Sequence, residues 1–216
     1  MTTIKFCGLT RPEDAAFAVQ LGASHAGVIF APSTRRVSIE TAIEVFGAAG
    51  SSIGHVGVFD DSSAEEIAAV AAAVPLDVVQ LHRRVNDSFI DELRKSFAGD
   101  IWPVIGVEDS AHAVGRIDNF PVRCNAIVLD TAVRGKSGGT GRPFDWARLS
   151  QMLKPLNSRP PIIVAGGLTP QNVGRAIAAL HPEGVDVSSG VESAPGVKDH
   201  NLMQAFAEAV HSASIV

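Results

Sequence analysis

The sequence predicts a closed (β/α)8 barrel formed by residues 1–216 as one α/β domain. Short β-branched runs alternate along the chain with longer stretches of helical periodicity, which is the pattern of a parallel sheet. The units number eight, and eight units in roughly 200 to 250 residues are typical of a closed barrel. An open doubly wound sheet is the alternative. It usually has fewer strands and a G-x-G-x-x-G turn after its first strand, which this chain lacks.

The predicted strands are short and apolar, and each is followed by a predicted helix. The strands lie at residues 4–7, 26–30, 53–59, 78–81, 101–107, 126–129, 162–165 and 185–187. The helices lie at residues 12–21, 39–49, 63–73, 86–97, 110–119, 145–153, 171–180 and 199–213. Helix-start signals support several of them, such as Thr10 ahead of Pro12 and Thr169 ahead of Pro170.

The hydrophobic and charged content of the chain limits the kinds of partner that we expect it to bind. The chain is 46% hydrophobic and 19% charged, with a net charge of −5 and no run of Lys or Arg. This balance argues against nucleic acid or a membrane surface as the main partner. No apolar stretch approaches the roughly 20 residues that span a bilayer. A small anionic molecule remains a suitable ligand.

The cysteine content indicates a reducing compartment. Cys7 and Cys124 could form at most one disulfide, which a chain of this size does not need for stability. The N-terminus enters a strand without the basic, apolar and small-residue segments of a secretory signal. We therefore expect a cytoplasmic protein.

Two strand ends carry a candidate acid and base. In a barrel of this class the chemistry lies at the C-terminal ends of the strands. Cys7 ends the first strand and Asp130 ends the sixth, which suggests a proton-transfer pair. The alternative for Cys7 is a small buried core residue. Cys124 precedes the sixth strand, at the other end of the barrel, and is interpreted as structural.

Two glycine turns in the last two units indicate phosphate binding. Gly166 and Gly167 follow the seventh strand, and Ser189 and Gly190 follow the eighth. Glycines let backbone N–H groups approach an anion, and loops in these two units often hold phosphate in barrels. The alternative is that each loop only turns the chain. Phosphate held in this way requires no lysine or metal.

The long glycine-rich loop at residues 131–141 is interpreted as a lid over the substrate, with a disordered surface loop as the alternative. The histidines are scattered without H-x-x-x-H or C-x-x-C spacing, so no metal site is expected. A G-x-S-x-G elbow, which a serine hydrolase would need, is absent.

Ten short segments, spread in order over the whole chain, form a recognisable set. They are Lys5-Phe6-Cys7-Gly8-Leu9-Thr10, Gly27-Val28-Ile29-Phe30, Ser33-Thr34-Arg35-Arg36-Val37-Ser38, Val56-Gly57-Val58-Phe59, Val79-Gln80-Leu81-His82, Leu129-Asp130, Gly138-Gly139-Thr140-Gly141, Phe144-Asp145-Trp146, Ala165-Gly166-Gly167-Leu168 with Asn172-Val173, and Val185-Asp186-Val187-Ser188-Ser189-Gly190-Val191-Glu192. Each segment alone is weakly specific, but the ordered set is strongly specific. Together they resemble the phosphoribosylanthranilate isomerase family, (β/α)8 enzymes of tryptophan biosynthesis.

The resemblance implies an Amadori rearrangement without a cofactor. N-(5-phosphoribosyl)anthranilate would become 1-(2-carboxyphenylamino)-1-deoxyribulose 5-phosphate, with Asp130 as general acid and Cys7, as thiolate, as general base. The family resemblance further implies a small phosphorylated substrate as partner, and a monomer in preference to a homodimer.

The resemblance also assigns binding roles. Arg36 would meet the anthranilate carboxylate, with Arg35 as a solvated neighbour. Asp186 would bind a ribose hydroxyl or make a structural hydrogen bond, two equal interpretations. Gln80 and His82 would face the substrate if strand alternation points them inward. Gly167, Ser189 and Gly190, beside Gly166, would hold the phosphate.

The chain departs from the family pattern at the rim. Arg83 and Arg84 follow His82 where the family usually has glycine, and Pro103 lies where many relatives have a lysine before alanine. One rival function is a histidine-pathway aminoaldose isomerase, but those barrels use a first-strand aspartate and two phosphate sites, whereas residues 59–62 here are acidic. A non-catalytic sugar-phosphate-binding barrel is another, and it leaves Cys7 and Asp130 unexplained.

Overall fold

The strands of the barrel follow one another around a closed parallel sheet. The computed structural model describes residues 1–107, 110–118, 120, 123–131, 144–153 and 159–214, with the side chains of 111 and 112 left out. Each strand pairs with its sequence neighbours, and the eighth closes on the first. The fold class predicted from the sequence is confirmed. The strands are β1 (Thr3–Phe6), β2 (His25–Ile29), β3 (Gly54–Phe59), β4 (Val78–Leu81), β5 (Asp100–Val107), β6 (Ile127–Thr131), β7 (Ile162–Val164) and β8 (Gly184–Val187).

A helix follows each of these strands. Side-chain caps fix several N-termini: Ser38 accepts from the N–H of Thr41, and Ser63 forms a reciprocal capping box with Glu66. The helices are α1 (Pro12–Gln20), α2 (Ile39–Ala49), α3 (Ala64–Ala73), α4 (Asp87–Arg94), α5 (Ser110–Asp118), α6 (Trp146–Leu153), α7 (Val173–Leu180) and α8 (His200–Ala213). In the part of the chain that is described, no helix is long and apolar enough to cross a membrane.

Two apolar layers hold the barrel together. The larger packs the outer faces of the strands against the helices, and includes Phe6, Phe46 and Phe206. The other fills the inside of the barrel, because alternate residues of each strand point inward. Its members are Val56, Val78, Trp102, Val104, Ala126, Val128, Ile163 and Ala165.

The chain after β8 forms a small structure that the sequence did not predict. A 3₁₀ turn at Ser189–Val191 leads into an antiparallel hairpin of β9 (Glu192–Ala194) and β10 (Val197–Lys198). The hydroxyl of Thr10 donates to the carbonyl of Gly196, and the N–H of Lys198 donates to Asp14. The hairpin is thereby fixed over the loop that follows β1.

Two element boundaries differ from the sequence prediction in ways that bear on the site. The sixth strand continues to Thr131, so Asp130 lies inside it and its backbone is held by pairing with Gly106. Helix α7 begins at Val173 because Asn172 turns its side chain toward the preceding loop. Both differences give the site more rigid support than a free loop.

Candidate active site

One cavity opens at the C-terminal ends of the strands, where the sequence placed the chemistry. It gathers residues from the ends of β1, β2, β3, β4, β6, β7 and β8. Its lining consists of Cys7, Ile29, Ala31, Pro32, Ser33, Arg35, Val58, Asp60, Gln80, His82, Asp130, Ala165, Gly166, Gly167, Leu168, Asp186, Val187, Ser188, Ser189 and Gly190.

Cys7 lies on the wall of this cavity and is 6% exposed. Its N–H donates to the carbonyl of Val187 at 2.9 Å, which ties the end of β1 to β8. Burial raises the pKa of the Cys7 thiol, while the nearby Lys5 ammonium opposes that shift. The resting side chain is therefore a thiol at neutral pH.

A buried ion pair lies beneath Cys7. Nζ of Lys5 is 2.8 Å from Oδ2 of Asp186, and the side chains are 2% and 7% exposed. The two residues are direct partners in the β1–β8 register. Burial raises the pKa of Asp186, against the opposing effect of Lys5. Oδ2 of Asp186 thus makes a structural bond, while Oδ1 has no hydrogen-bond partner among the residues described. A contact with a ribose hydroxyl stays a prediction.

Asp130 is paired with a histidine across the sheet. Nε2 of His82 lies 3.2 Å from Oδ2 of Asp130, and both side chains line the cavity. The hydrogen bond to Asp130 raises the pKa of His82, although its burial acts in the opposite direction. Strand alternation points Gln80 and His82 inward, the condition on which their predicted roles depended.

The loop after β7 is shaped by its two glycines. Gly166 and Gly167 have φ of +81° and +66°, in the left-handed region that favours glycine. Asn172 fixes the loop from behind: its amide donates to the carbonyl of Gly167 and its oxygen accepts from Thr169 N–H, each at 2.8 Å. The loop therefore presents backbone, and no side chain, to the cavity at these positions.

The loop after β8 packs directly against the loop after β7. A Cβ at Gly190 would overlap the carbonyl oxygen of Leu168, so only glycine allows this approach. Gly167, Ser189 and Gly190 then line one end of the cavity. The structure brings together the residues of the two predicted phosphate loops.

Several buried polar atoms of the cavity wall have no hydrogen-bond partner among the residues described. They are Oε1 of Gln80, Oδ1 of Asp186 and Oγ of Ser188. A buried polar group without a partner costs free energy, on the order of 1 to 3 kcal/mol. Gln80 on β4 lies across the barrel from Asp186 and Ser188 at β8. The oxygens of Gln80 and Asp186 are acceptors, so the hydroxyl groups of a ligand would satisfy them.

The two arginines after β2 lie in different surroundings. Arg35 lines the cavity and forms a two-pronged ion pair with Glu192, with Nε–Oε1 at 2.8 Å and Nη2–Oε2 at 2.7 Å. The expectation of a solvated Arg35 is therefore wrong. Arg36 is exposed and lies outside the cavity lining in this structure. Its contact with an anthranilate carboxylate stays a prediction.

The comparisons with known proteins agree with one another. The family model of N-(5'phosphoribosyl)anthranilate (PRA) isomerase matches residues 4–209. The chain is 40% identical, over 213 residues, to the N-(5'-phosphoribosyl)anthranilate isomerase of Pseudomonas aeruginosa strain LESB58, covering 97% of this chain and 95% of the relative. The chain belongs to the phosphoribosylanthranilate isomerase family.

Solved structures of family members share the fold. One, described as mutually generated monomers of the dimeric isomerase from Thermotoga maritima, aligns with a TM-score of 0.83 at 33% identity, covering 98% of this chain and 100% of that one. Another isomerase, in complex with reduced 1-(o-carboxyphenylamino)-1-deoxyribulose 5-phosphate, aligns with a TM-score of 0.84 at 32% identity, with the same coverage. The likeness extends over the whole barrel.

Sequence reasoning missed three charged residues around the family's site. Lys5 lies below Cys7, and Glu192 bonds both Arg35 and Lys198, whose ammonium also reaches the carbonyl of Ser188. Burial alone would raise the pKa of Glu192, but these two cations hold it below its ordinary value. A signal existed for Lys5, because a lysine within an apolar strand needs a buried partner.

Other predicted features lie at the margins of this site. Arg83 is outside the cavity lining: it donates to the carbonyl of Ser62 and stacks on Phe89. The predicted lid at 131–141 falls outside the described residues, apart from Thr131.

Where side chains are described, no group of three or more His, Cys, Asp or Glu is placed to hold a metal ion. The expectation of a metal-free, cofactor-free reaction stays a prediction.

Proposed function

We propose that the protein converts N-(5-phosphoribosyl)anthranilate to 1-(2-carboxyphenylamino)-1-deoxyribulose 5-phosphate by an Amadori rearrangement, a step of tryptophan biosynthesis. The observation that carries the proposal is the shared cavity of Cys7 and Asp130, with the paired glycine loops at one end. Membership of the isomerase family supports the same reaction.

Asp130 is the general acid of the first step. It gives its proton to the furanose ring oxygen, the C1–O bond breaks, and the nitrogen lone pair forms the C=N bond of a protonated Schiff base. An acid must lie within hydrogen-bond reach of the atom that it protonates. Pairing with His82 at 3.2 Å supports this role, because it fixes the direction of the carboxyl group.

Cys7 is the general base of the second step. The thiol first releases its own proton to solvent. The resulting thiolate removes the proton from C2 and becomes a thiol again, and the C–H electrons form an enolamine as the iminium nitrogen is neutralised. The enolamine then tautomerises to the ketone. A base acts here without forming a covalent bond to the substrate, so the reaction needs no oxidant, reductant or co-reactant.

Binding groups surround these two residues. Gly166, Gly167, Ser189 and Gly190 hold the phosphate through backbone N–H groups and a hydroxyl. The free oxygen of Asp186 accepts a hydrogen bond from a ribose hydroxyl.

Three further side chains complete the binding of the substrate. Gln80 and His82 contact the sugar from β4. Arg36 turns inward to meet the anthranilate carboxylate, as its long side chain and guanidinium fork allow.

A fluorescence assay tests the proposal. Purified protein is mixed with phosphoribosylanthranilate, and loss of the substrate's fluorescence is followed over time. We expect enzyme-dependent loss and formation of the ketose product. Absence of turnover would overturn the proposal, and tests with a histidine-pathway aminoaldose or of sugar-phosphate binding alone would then identify the rival function.

We also propose that the protein works as a cytoplasmic monomer, with residues 1–216 as one domain. Both cysteines are free, as expected in a reducing compartment. In the described part of the chain, the large exposed apolar side chains are Met1 and Ile43, too few for an extensive subunit interface. The relative from Thermotoga maritima is described as dimeric. Light scattering at micromolar concentration separates the two states.

A further inference from the structure

The proposed base lies beside a buried cation that the mechanism above does not use. Lys5 is 2% exposed, and its ammonium contacts Asp186 at 2.8 Å. Burying an ion pair has a desolvation cost that the attraction between the charges often fails to recover. A lysine retained at the floor of a catalytic cavity therefore suggests a use beyond stability.

Gly27 on β2 provides the space in which the thiol and the ammonium meet. A Cβ at Gly27 would lie 3.2 Å from Sγ of Cys7 and 3.3 Å from Nζ of Lys5. Both side chains thus reach the same point, Lys5 from an inward position of β1 and Cys7 from the residue that follows this strand. The ammonium that contacts Asp186 therefore also lies close to the thiol of Cys7.

We propose that Lys5 is a positioning residue whose ammonium holds the Cys7 thiolate as it takes the substrate's proton, and that Asp186 competes with the thiolate for this ammonium. This inference rests on the proposed function of Cys7 as base. The strength of the base then depends on how one buried positive charge is shared between two anions.

The charges around Cys7 agree with this arrangement. Burial lowers the pKa of Lys5, but Asp186 and Cys7 together raise it above its ordinary value, so the ammonium stays charged. Charged groups that face the thiol come from β1, the loop after β2, β8 and β10: Lys5, Arg35, Asp186 and Lys198. Among the effects on the Cys7 thiol, that of Lys5 is second to burial and larger than that of Lys198.

Substrate binding would strengthen Cys7 as a base by changing the Lys5–Asp186 ion pair. Resting Lys5 and Asp186 neutralise each other, and Cys7 is an uncharged thiol. A ribose hydroxyl that donates to the free Oδ1 of Asp186 disperses the carboxylate charge, and the ammonium then becomes more available to the thiolate. Proton removal from C2 is thereby favoured only when the sugar is in place.

The test measures thiol reactivity against pH with iodoacetamide, on a Cys124→Ser background so that Cys7 is the one cysteine present. Lys5→Met should slow alkylation at about pH 8 by at least about tenfold, the effect of one unit in the thiol pKa. Asp186→Asn should accelerate it severalfold, because the ammonium is released to the thiolate. Lys198→Met, which removes a buried ammonium bonded to Glu192, is the matched control and should change the rate less than Lys5→Met does.

Slower alkylation in Lys5→Met together with faster alkylation in Asp186→Asn would distinguish this role from a merely structural one. Identical pH profiles for Lys5→Met and the parent, or a slower reaction in Asp186→Asn, would overturn the proposal. If Lys5→Met does not fold because Asp186 is left unpaired, the double variant Lys5→Met with Asp186→Asn removes the stranded charge. Its alkylation profile should then lie at higher pH than that of Asp186→Asn alone.

Turnover of the substrate gives a second measurement, independent of thiol alkylation. With substrate, Lys5→Met should lower kcat at least about tenfold and change KM less than about threefold. Alkylation does not require turnover, so a protein without isomerase activity that still shows opposite shifts would refute the proposed function and retain the charge-sharing arrangement.

Discussion

His82 and Asp130 form a hydrogen-bonded pair between the ends of β4 and β6, with Nε2 3.2 Å from Oδ2. The bond to Asp130 raises the pKa of His82 against the effect of burial, and the charge of Asp60 adds to the rise. The pair therefore favours the protonated form of His82. His82 is a neighbour from which Asp130 can regain the proton that it delivers to the substrate.

The first prediction concerns the pH dependence of stability. A histidine whose pKa is raised on folding stabilises the protein fully below its ordinary pKa of 6.5, and this contribution is lost as pH rises through the raised value. We expect His82→Gln to be less stable than the parent by under about 1 kcal/mol at about pH 5.5, since both side chains are partly exposed. At about pH 8.5 the difference should shrink.

Urea unfolding at the two pH values measures this difference. Gln keeps a hydrogen-bond donor but does not titrate, so the comparison isolates charge from hydrogen bonding. An equal gap at both pH values would show that the pair contributes no charge-dependent stability.

The second prediction separates chemistry from binding. Cys7→Ala and Asp130→Asn each remove a proton-transfer group, so kcat should fall by about 10²- to 10⁴-fold. Affinity for the product should stay within about threefold, because neither change removes a principal binding contact. Steady-state kinetics and product titration measure the two effects. Cys124→Ala, outside the cavity, is the matched control, and a near-normal rate in Cys7→Ala would exclude the proposed base.

Most of the fold follows from local sequence patterns. Apolar strand runs and the proline at the start of α1 act within a few residues, so the sequence alone shows them. Thr10 is not the cap of that helix, because its N-cap residue is Arg11. The hairpin after β8 was missed because its support is distant: Thr10 and Asp14, near the other end of the chain, hold it through Gly196 and Lys198.

The sequence predicts part of the site because a closed barrel brings the C-terminal ends of its strands close together. Cys7, Asp130 and the glycine loops were predicted in this way, and they line one cavity, while their roles stay predictions. The sharing of charge was not predictable, since the contact of Lys5 with Asp186 depends on the register by which β8 closes on β1. The place of Arg35 likewise depends on Glu192, a partner that lies beyond the barrel strands.

The third prediction addresses the phosphate loops. A Cβ at Gly190 would overlap the carbonyl of Leu168, so Gly190→Ala should push the loops after β7 and β8 apart. We expect KM to rise at least about tenfold, with a smaller effect on kcat, because phosphate binding is largely uniform binding energy. Inhibition by inorganic phosphate should weaken in parallel. Gly174→Ala is the matched control, since its nearest atom would lie 3.8 Å away. Unchanged phosphate affinity in Gly190→Ala would show that the phosphate does not bind at these loops.

The last prediction uses two glycines with nearly the same backbone conformation. Gly166 has φ of +81° and Gly22 has +74°, so alanine at either position is strained by about 1 to 2 kcal/mol. Their surroundings differ: a Cβ at Gly22 meets nothing within 4 Å, while one at Gly166 would overlap Oδ1 of Asp130 and the backbone N of Thr131.

Backbone strain should lower the stability of both variants, and the overlap should lower that of Gly166→Ala further, as urea unfolding would measure. Only Gly166→Ala should lose activity. Its methyl group displaces either the Asp130 carboxyl or the β7 loop, and a displacement of about 1 Å at a catalytic group can cost on the order of 10²-fold in rate. Gly22→Ala should keep the parent's kcat. Because strain is matched, equal kcat values in the two variants would show that the close approach of Gly166 does not position the acid. A selective loss would identify this glycine as the reason that Asp130 is held at its working position.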